Sequence, residues 1–422
     1  MKKTFKILLF TTLALGCCGS IDAKKKQKFD VNPDLPMSIR MAQSEIIRNP
    51  EGWMLDFSQK LKWNYCHGLE CQSFLDVYDH YKGEKKYAKA VAPFYTYVKD
   101  YADTIINENG IIYGYKKTNY NLDHVNSGKI LFRLYDREKD PRYKIAMDTL
   151  RAQLASQPRT SEGGFWHKKV YPFQMWLDGL YMGEPYYAEY TATFDADNTQ
   201  AYADIVNQFL LVAKRTYDKE TGLYRHAWDE IKALPWSDKS GRAPHVWGRA
   251  LGWYMMAIVD VLDYLPESQP GRDKMITILQ NIVKNLAKYQ DPKTGAWCQV
   301  IDQTGREGNY LEMSCTPMYA YAIAKGVRKG YLDPSALEMA KKAYQGILDN
   351  FIKVDEKGLV SLTNVCGVAG LGGKPYRDGS FDYYVNEIVR DNDPKGVAPF
   401  IMLCLETVSY THLRAHETDQ YL

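Results

Sequence analysis

The chain is predicted to be all-α, an (α/α)6 barrel in which six helical hairpins close into a toroid, and three observations carry that prediction. Six short Gly-led turns recur, at separations of 58, 54, 58, 73 and 63 residues. They are Gly52-Trp53-Met54, Gly110-Ile111-Ile112-Tyr113, Gly164-Phe165-Trp166-His167, Gly222-Leu223-Tyr224-Arg225-His226, Gly295-Ala296-Trp297-Cys298-Gln299 and Gly358-Leu359-Val360. Between them apolar residues recur every three or four positions, the period of a helix with one buried face, and no run alternates as a strand would. A unit of about 60 residues holds two helices of typical length with their loops, so six units imply about twelve helices. An open superhelix needs polar capping repeats, and none is visible, so the toroid is read as closed and as one domain over residues 37–408.

The helical segments run over Tyr87–Ile106, His124–Tyr135, Tyr143–Leu154, Gln174–Tyr187, Tyr202–Tyr217, Val246–Tyr264, Met275–Tyr289, Tyr310–Val327, Ala336–Phe351 and Gly396–Leu405. Pro158, Pro266, Pro270, Pro292 and Pro334 fall between these segments, where a missing N–H breaks nothing. Asp218-Lys219-Glu220-Thr221 and Asp291-Pro292-Lys293-Thr294 lead into two of the Gly turns with side chains that bond their own backbone.

Both ends of the chain stand apart from this pattern. Lys2, Lys3 and Lys6 precede an apolar run from Ile7 to Cys18, followed by small and polar residues, which is the layout of a secretory leader over residues 1–23. Ala14-Leu15-Gly16-Cys17 reads as a loose lipoprotein box, while Ile21-Asp22-Ala23 suits an ordinary signal peptidase. The protein is therefore expected to be exported, either periplasmic or held to the bacterial envelope by acyl chains at Cys17, its one expected membrane contact. From Ser409 the run SYTHLRAHETDQYL abandons the preceding apolar pattern, so residues 409–422 read as a non-native tail, and His412 and His416 are left out of site reasoning.

The 422 residues include 54 Lys+Arg and 51 Asp+Glu, a net charge of +3, with 45% hydrophobic and 25% charged residues. That composition excludes a disordered or collagen-like chain. Loss of Lys2, Lys3 and Lys6 with the leader leaves 51 basic against 51 acidic residues, and no basic patch remains for nucleic acid. The 33 Tyr and 9 Trp outnumber the 14 Phe, a bias toward rings that also hydrogen-bond, suited to sugars and equally to a Tyr-rich core. Cys66, Cys71, Cys298, Cys315, Cys366 and Cys404 are too scattered for a metal site or a disulfide framework. No zinc-protease, P-loop, dinucleotide or nucleophile-elbow motif is present, so neither a metal nor an organic cofactor is expected.

A toroid gathers the loops of one end around a funnel, and the candidate chemistry lies in or beside the Gly turns. In Gln174-Met175-Trp176-Leu177-Asp178-Gly179, an acid lies among apolar and aromatic residues, surroundings that raise a carboxyl pKa and suit a general acid. A helix cap or an Arg partner would explain Asp178 equally. Asp123 beside His124 opens another helix, where an N-cap by Asp123 or Asn121 is the alternative. Trp247, Arg249 and Trp253 combine a carboxylate clamp with rings that stack on sugars, or form a cation–π pair in the core. His167 and His226 follow Gly turns at similar places, lining the funnel or packing structurally.

The segments QMWLDGLYMGEPYYAEY, HVWGRALGWYMMAIVDVL, GLYRHAWD and LDHVNSGK resemble the unsaturated rhamnogalacturonyl hydrolases, glycoside hydrolase family 105, with similarity from Met37 to Leu405. That resemblance implies an (α/α)6 barrel that removes a Δ4,5-unsaturated uronic acid from the non-reducing end of oligosaccharides made by polysaccharide lyases. It implies hydration of the vinyl ether, with Asp178 protonating C4 and water adding at C5. Asp123 then matches the second acid, and His124, His167, His226, Trp247, Arg249 and Trp253 match the substrate pocket. Many relatives read Gly-Asn-Gly-Trp after the Arg, where this chain has Ala250-Leu251-Gly252-Trp253, a difference that bears on sugar preference. Two other readings fit the residues: a conventional inverting glycosidase or lyase using Asp123 and Asp178 as its pair, and a non-catalytic glycan-binding lipoprotein.

Overall fold

The structure, a computed structural model, describes residues 31–419, and side chains as far as residue 407. The leader at 1–23 lies outside the described residues, as do the side chains of the tail from Ser409. The helices are α1 (Met37–Arg48), α2 (Tyr65–Tyr81), α3 (Ala88–Ile105), α4 (Asp123–Asn126), α5 (Lys129–Glu138), α6 (Pro141–Ala155) and α7 (Leu177–Phe194). They continue as α8 (Thr199–Thr216), α9 (Gly248–Val261), α10 (Arg272–Leu286), α11 (Cys315–Arg328), α12 (Leu337–Asn350), α13 (Phe381–Val385) and α14 (Pro394–Asp419).

Packing sorts them into two concentric rings. The inner ring runs from α2 to the pair α4 and α5, then to α7, α9, α11 and α14, and α14 closes on α2. Outside it, α3 covers α2, α6 covers α5, α8 covers α7, α12 covers α11, and α10 packs on α8 and α9. The sixth outer position, over α14, is filled by α1 from the other end of the chain. The fold is the six-hairpin toroid expected.

Position in the ring explains composition. Every residue of α9 is buried, as a helix surrounded on all sides must be. By contrast α10 buries only Met275, Leu279, Ile282, Val283 and Leu286, one stripe at three- and four-residue spacing. Two outer helices, α6 and α8, start on polar caps: Asp140 accepts from the Arg142 N–H at 2.9 Å, with Pro141 at the first helical position, and Asn198 accepts from the Ala201 N–H.

Each Gly turn joins an outer helix to the next inner one, so all six open onto the mouth where the inner helices begin. Gly110, Gly222, Gly295 and Gly358 take φ of 73°, 73°, 72° and 78°, the left-handed region that disfavours a side chain. At the third turn it is Gly163, not Gly164, that does so, and Gly52 sits in a 3₁₀ turn. The absence of strands expected from the pattern is corrected here. Among the described residues four two-stranded ladders decorate this mouth, including Tyr217–Asp218 with Leu223–Tyr224 around Gly222, and Gln174–Trp176 with Ala227–Asp229. They are two or three residues long, too short for alternation to show.

Three helices escaped the periodicity, α1, α2 and the five-residue α13. In α2 the buried set includes His67, Gly68, Glu70 and Ser73 beside Leu69 and Phe74, so polar and apolar residues share its whole circumference. The expected helix at His124–Tyr135 is divided at Ser127 and Gly128 into α4 and α5. There the Ser127 hydroxyl donates to the Asn64 carbonyl at 2.6 Å, and a Cβ on Gly68 would lie 2.2 Å from Ser127 Cα. Gly68→Ala should therefore force α2 away from this break and destabilise the fold by about 1–3 kcal/mol, the usual cost of overpacking. Urea-denaturation midpoints of the two proteins check this.

Candidate active site

Asp178 is the second residue of α7, reached directly from the strand Gln174–Trp176, which pairs with Ala227–Asp229. This pairing brings the chain on either side of His226 against the start of α7, and the Leu177 N–H donates to the His226 carbonyl at 3.0 Å. His226 Nε2 lies 3.2 Å from Asp178 Oδ2, and its Nδ1 lies 2.7 Å from the Tyr384 hydroxyl. An imidazole that accepts from Tyr384 at Nδ1 would present an Nε2 proton toward the carboxylate.

The second acid is held by a second group. Asn121 Oδ1 accepts from the Asp123 N–H at 3.0 Å, so Asn121 performs the capping and the Asp123 carboxylate is left free for other partners. Asp123 Oδ2 accepts from Lys168 Nζ, and Oδ1 lies 3.6 Å from His167 Nε2. Trp176 ties the two halves together. Its indole stacks on the His167 ring with centroids 4.7 Å apart and meets the His226 ring edge-on at 5.2 Å.

The electrostatics correct one expectation. Burial alone would raise Asp178, but the His226 charge and hydrogen bond, with His167 behind them, outweigh it and hold the carboxyl below the ordinary carboxylate value. Its place in the first turn of α7 favours the anion in the same sense. At Asp123 burial is likewise outweighed, by Lys168 and His167. His167 moves the other way, since burial and the neighbouring Lys168 ammonium press it down to about 4 against the pull of both acids. His124, half-buried against the Tyr115 ring, is also lowered, by burial.

Trp247, Trp253 and Arg249 line the wall behind this group and present no open face. Trp247 is 1% exposed, stacked on Tyr384 at 5.7 Å and touching the His226 ring at 4.7 Å, and its indole N–H donates to Gln299 Oε1. Trp253 is covered by Tyr181, stacked at 4.8 Å, and by the edge of Tyr65. Arg249 was expected to offer a free carboxylate clamp. Instead its Nε donates to Ser314 Oγ at 2.7 Å, Nη2 and Nη1 donate to the Cys366 and Gly367 carbonyls, and Glu312 balances its charge at 3.6 Å. The more open cation is Lys168, which stood in the same turn as His167 and escaped the sequence reading. Trp176 and Tyr384 escaped it too: the first is an apolar neighbour of Asp178 in sequence with no chemistry of its own to mark it, and the second lies on α13, far along the chain.

Among the described residues, Cys66, Cys71, Cys298, Cys315, Cys366 and Cys404 are free thiols, and all but Cys298 are buried.

The site is thus the mouth of a closed helical toroid with two acids, each beside a histidine. The profile of Glycosyl Hydrolase Family 88 matches residues 37–411. The chain belongs to Glycosyl Hydrolase Family 88. The family 105 resemblance holds in the solved structures, where a family 105 glycoside hydrolase from C. acetobutylicum ATCC 824 shares 42% identity. It covers 89% of this chain and all of the other, with a TM-score of 0.82. The unsaturated glucuronyl hydrolase of Bacillus sp. GL1 has the same fold at 12% identity, a TM-score of 0.59, and coverage of 88% and 94% of the two chains. An unsaturated 3S-rhamnoglycuronyl hydrolase of Formosa agariphila is 29% identical over 186 residues, 41% of this chain and 46% of its own. The Family 88 chain is thus a glycoside hydrolase of the unsaturated glycuronyl and rhamnogalacturonyl hydrolase group.

The low value at His167 makes a stability prediction. The unfolded chain takes up this proton near the ordinary value of about 6.5, the folded hydrolase only near 4. Folding stability from this group is therefore complete above the unfolded value and is lost as pH falls toward the folded one. Unfolding free energies measured at intervals from neutral pH downward should fall less steeply for His167→Gln than for the wild type in that window.

Proposed function

We propose that this hydrolase removes a Δ4,5-unsaturated uronic acid from the non-reducing end of lyase-generated oligosaccharides of the rhamnogalacturonan or pectin type. The reaction is hydration of the vinyl ether. Asp178 delivers a proton to C4, positive charge develops at C5, and water adds there while losing a proton to the Asp178 carboxylate. The resulting hemiketal opens between C5 and the ring oxygen, and the hemiacetal left at C1 collapses to release the neighbouring sugar. One molecule of water is consumed.

The observation that carries this reading is the chain from Tyr384 through His226 to Asp178, which orients a single carboxyl at the mouth of the funnel. An acid catalyst must hold a proton when the substrate is bound, and the free site keeps Asp178 low. The substrate supplies the difference: its carboxylate adds negative charge and its rings expel water, and both raise a neighbouring carboxyl. Asp123, held ionised by Lys168 and His167, is assigned to the sugar hydroxyls and the incoming water. Lys168 and His124 border the same acid. Trp247 and Arg249 act here as positioning residues, holding His226, Tyr384 and the backbone at Cys366 and Gly367 in place, while Trp253 packs on Tyr181 and Tyr65.

Hydration destroys the conjugated double bond of the unsaturated uronate, so turnover is read as loss of its ultraviolet absorbance. With lyase-digested pectin the wild type should bleach that signal, and Asp178→Asn should slow it by about 10²–10⁴-fold, the usual contribution of a general acid. Undiminished bleaching by Asp178→Asn contradicts the assignment. Cleavage of saturated oligosaccharides in its place returns the reaction to a conventional glycosidase.

A further inference from the structure

The proposed substrate is an anion, yet the cations already placed at the mouth are engaged, Lys168 by Asp123 and Arg249 by Glu312. Another guanidinium reaches the same group of residues from the Gly-rich segment 367–380, which precedes α13. Leu371 of that segment is fully buried in a small apolar cluster with Trp176, Ala227 and Trp236. Six residues on, Arg377 Nη2 donates to the Tyr171 hydroxyl at 2.8 Å. Tyr171 stacks on Trp176 with centroids 5.0 Å apart, and that indole packs on both His167 and His226. Gly379 then runs beside Tyr384, where a Cβ would lie 3.5 Å from the hydroxyl that bonds His226. Burial keeps the Tyr384 phenol high, and on the same oxygen the Asp178 charge acts to raise it and the Arg377 charge to lower it. Acid and guanidinium therefore lie within electrostatic reach of one hydroxyl.

Arg377 is held firmly but is not neutralised. Its Nε donates to the Gly372 carbonyl at 2.8 Å, and Nη2 donates to the Leu371 carbonyl at 3.0 Å as well as to Tyr171. All three acceptors are uncharged. Among the described residues no carboxylate pairs with this guanidinium, and Asp378, next in sequence, accepts from the Ser380 N–H. Nη1 makes no hydrogen bond and is not enclosed, in contrast to the unpartnered nitrogens of the core. A Cβ on Gly370 would collide with Nη1, so glycine there leaves the guanidinium its place.

We propose that Arg377 binds the carboxylate of the unsaturated uronate through Nη1 and so selects the free acid over its uncharged methyl ester, an assignment that rests on the hydration reading above. Bonds from a guanidinium to a carboxylate are charge-assisted, and a guanidinium whose plane is already fixed loses little freedom in making them. The carboxylate is borne by C5, so gripping it also fixes C4, the neighbouring carbon, against Asp178. The clamp expected of Arg249 falls instead to Arg377.

Bleaching of the unsaturated uronyl-rhamnose disaccharide, which carries one carboxylate, and of its methyl ester tests this. The wild type should show a kcat/KM at least about tenfold higher for the acid, the scale of one charge-assisted bond. Arg377→Gln and Arg377→Met should raise KM for the acid at least about tenfold with kcat within about threefold, as loss of uniform binding does. They should leave the ester unaffected, which abolishes the preference, and Arg377→Lys should restore part of it. Should the variants not fold, crystals of Asp178→Asn soaked with the disaccharide decide: a carboxylate within hydrogen-bond distance of Arg377 Nη1 supports the assignment, and one held elsewhere overturns it. Equal bleaching of acid and ester by the wild type, or variants that keep the preference or slow on both alike, overturns the role of Arg377 and leaves the hydration standing. No bleaching of either by the wild type overturns the hydration reading and this assignment with it.

Discussion

A ring of six inner helices closes only if the two ends of the folded chain meet, and everything at the catalytic mouth depends on that closure. The meeting place is well bonded. The Ser44 hydroxyl on α1 accepts from the Val360 N–H at 2.9 Å, and Arg48 Nη2 donates to the Val360 carbonyl at 2.7 Å and to Ser361 Oγ at 2.8 Å. At the start of α14, Lys395 is fully buried between Asp393 at 2.7 Å and Asp56, the latter on the loop that leads into α2. Breaking one partner of such a buried pair leaves an uncompensated charge. The first and last hairpin helices thereby form the sixth unit, and residues more than 200 positions apart, such as Asp178 and Tyr384, come to share one funnel.

Within that funnel the same physical terms act in opposite directions on neighbouring groups. Burial raises a carboxyl and lowers an imidazole, and an imidazole placed beside each acid favours the anionic form of that acid. Asp123 and Asp178 are each met in this way, by His167 and by His226. Trp176 packs against both rings, so one indole braces both supporting histidines. The proposed hydration uses this poise: a carboxyl held below its ordinary range takes up a proton when an anionic, water-excluding substrate arrives.

How much of this could be read from the chain depended on whether the signal was local. The Gly turns and the amphipathic outer helices are local, and they supplied the hairpin count and the closed toroid. The inner helix α2 was missed because burial on every side, with His67 and Glu70 inside, erases the contrast that periodicity detects. Asp123, His167, Asp178 and His226 stood out as chemistry-bearing types beside turns, and the structure gathers them at one mouth. The direction of the shift at Asp178 was misread, because an apolar stretch of sequence says nothing of a histidine that arrives from 48 residues downstream. Arg249 looked like a free clamp for the same reason, its partners Glu312, Cys366 and Gly367 being contributed by later segments. Tyr384 carried no local signal at all.

The central claim is that protonation occurs at C4 of the unsaturated uronate and that water enters at C5. Turnover in isotopically labelled water tests it most directly, with deuterium and ¹⁸O located in the released products by NMR and mass spectrometry. Vinyl-ether hydration predicts one deuterium at C4 of the released uronate and ¹⁸O on its C5 carbonyl. Label entering only at the anomeric carbon, with C4 free of deuterium and the double bond retained, would contradict it.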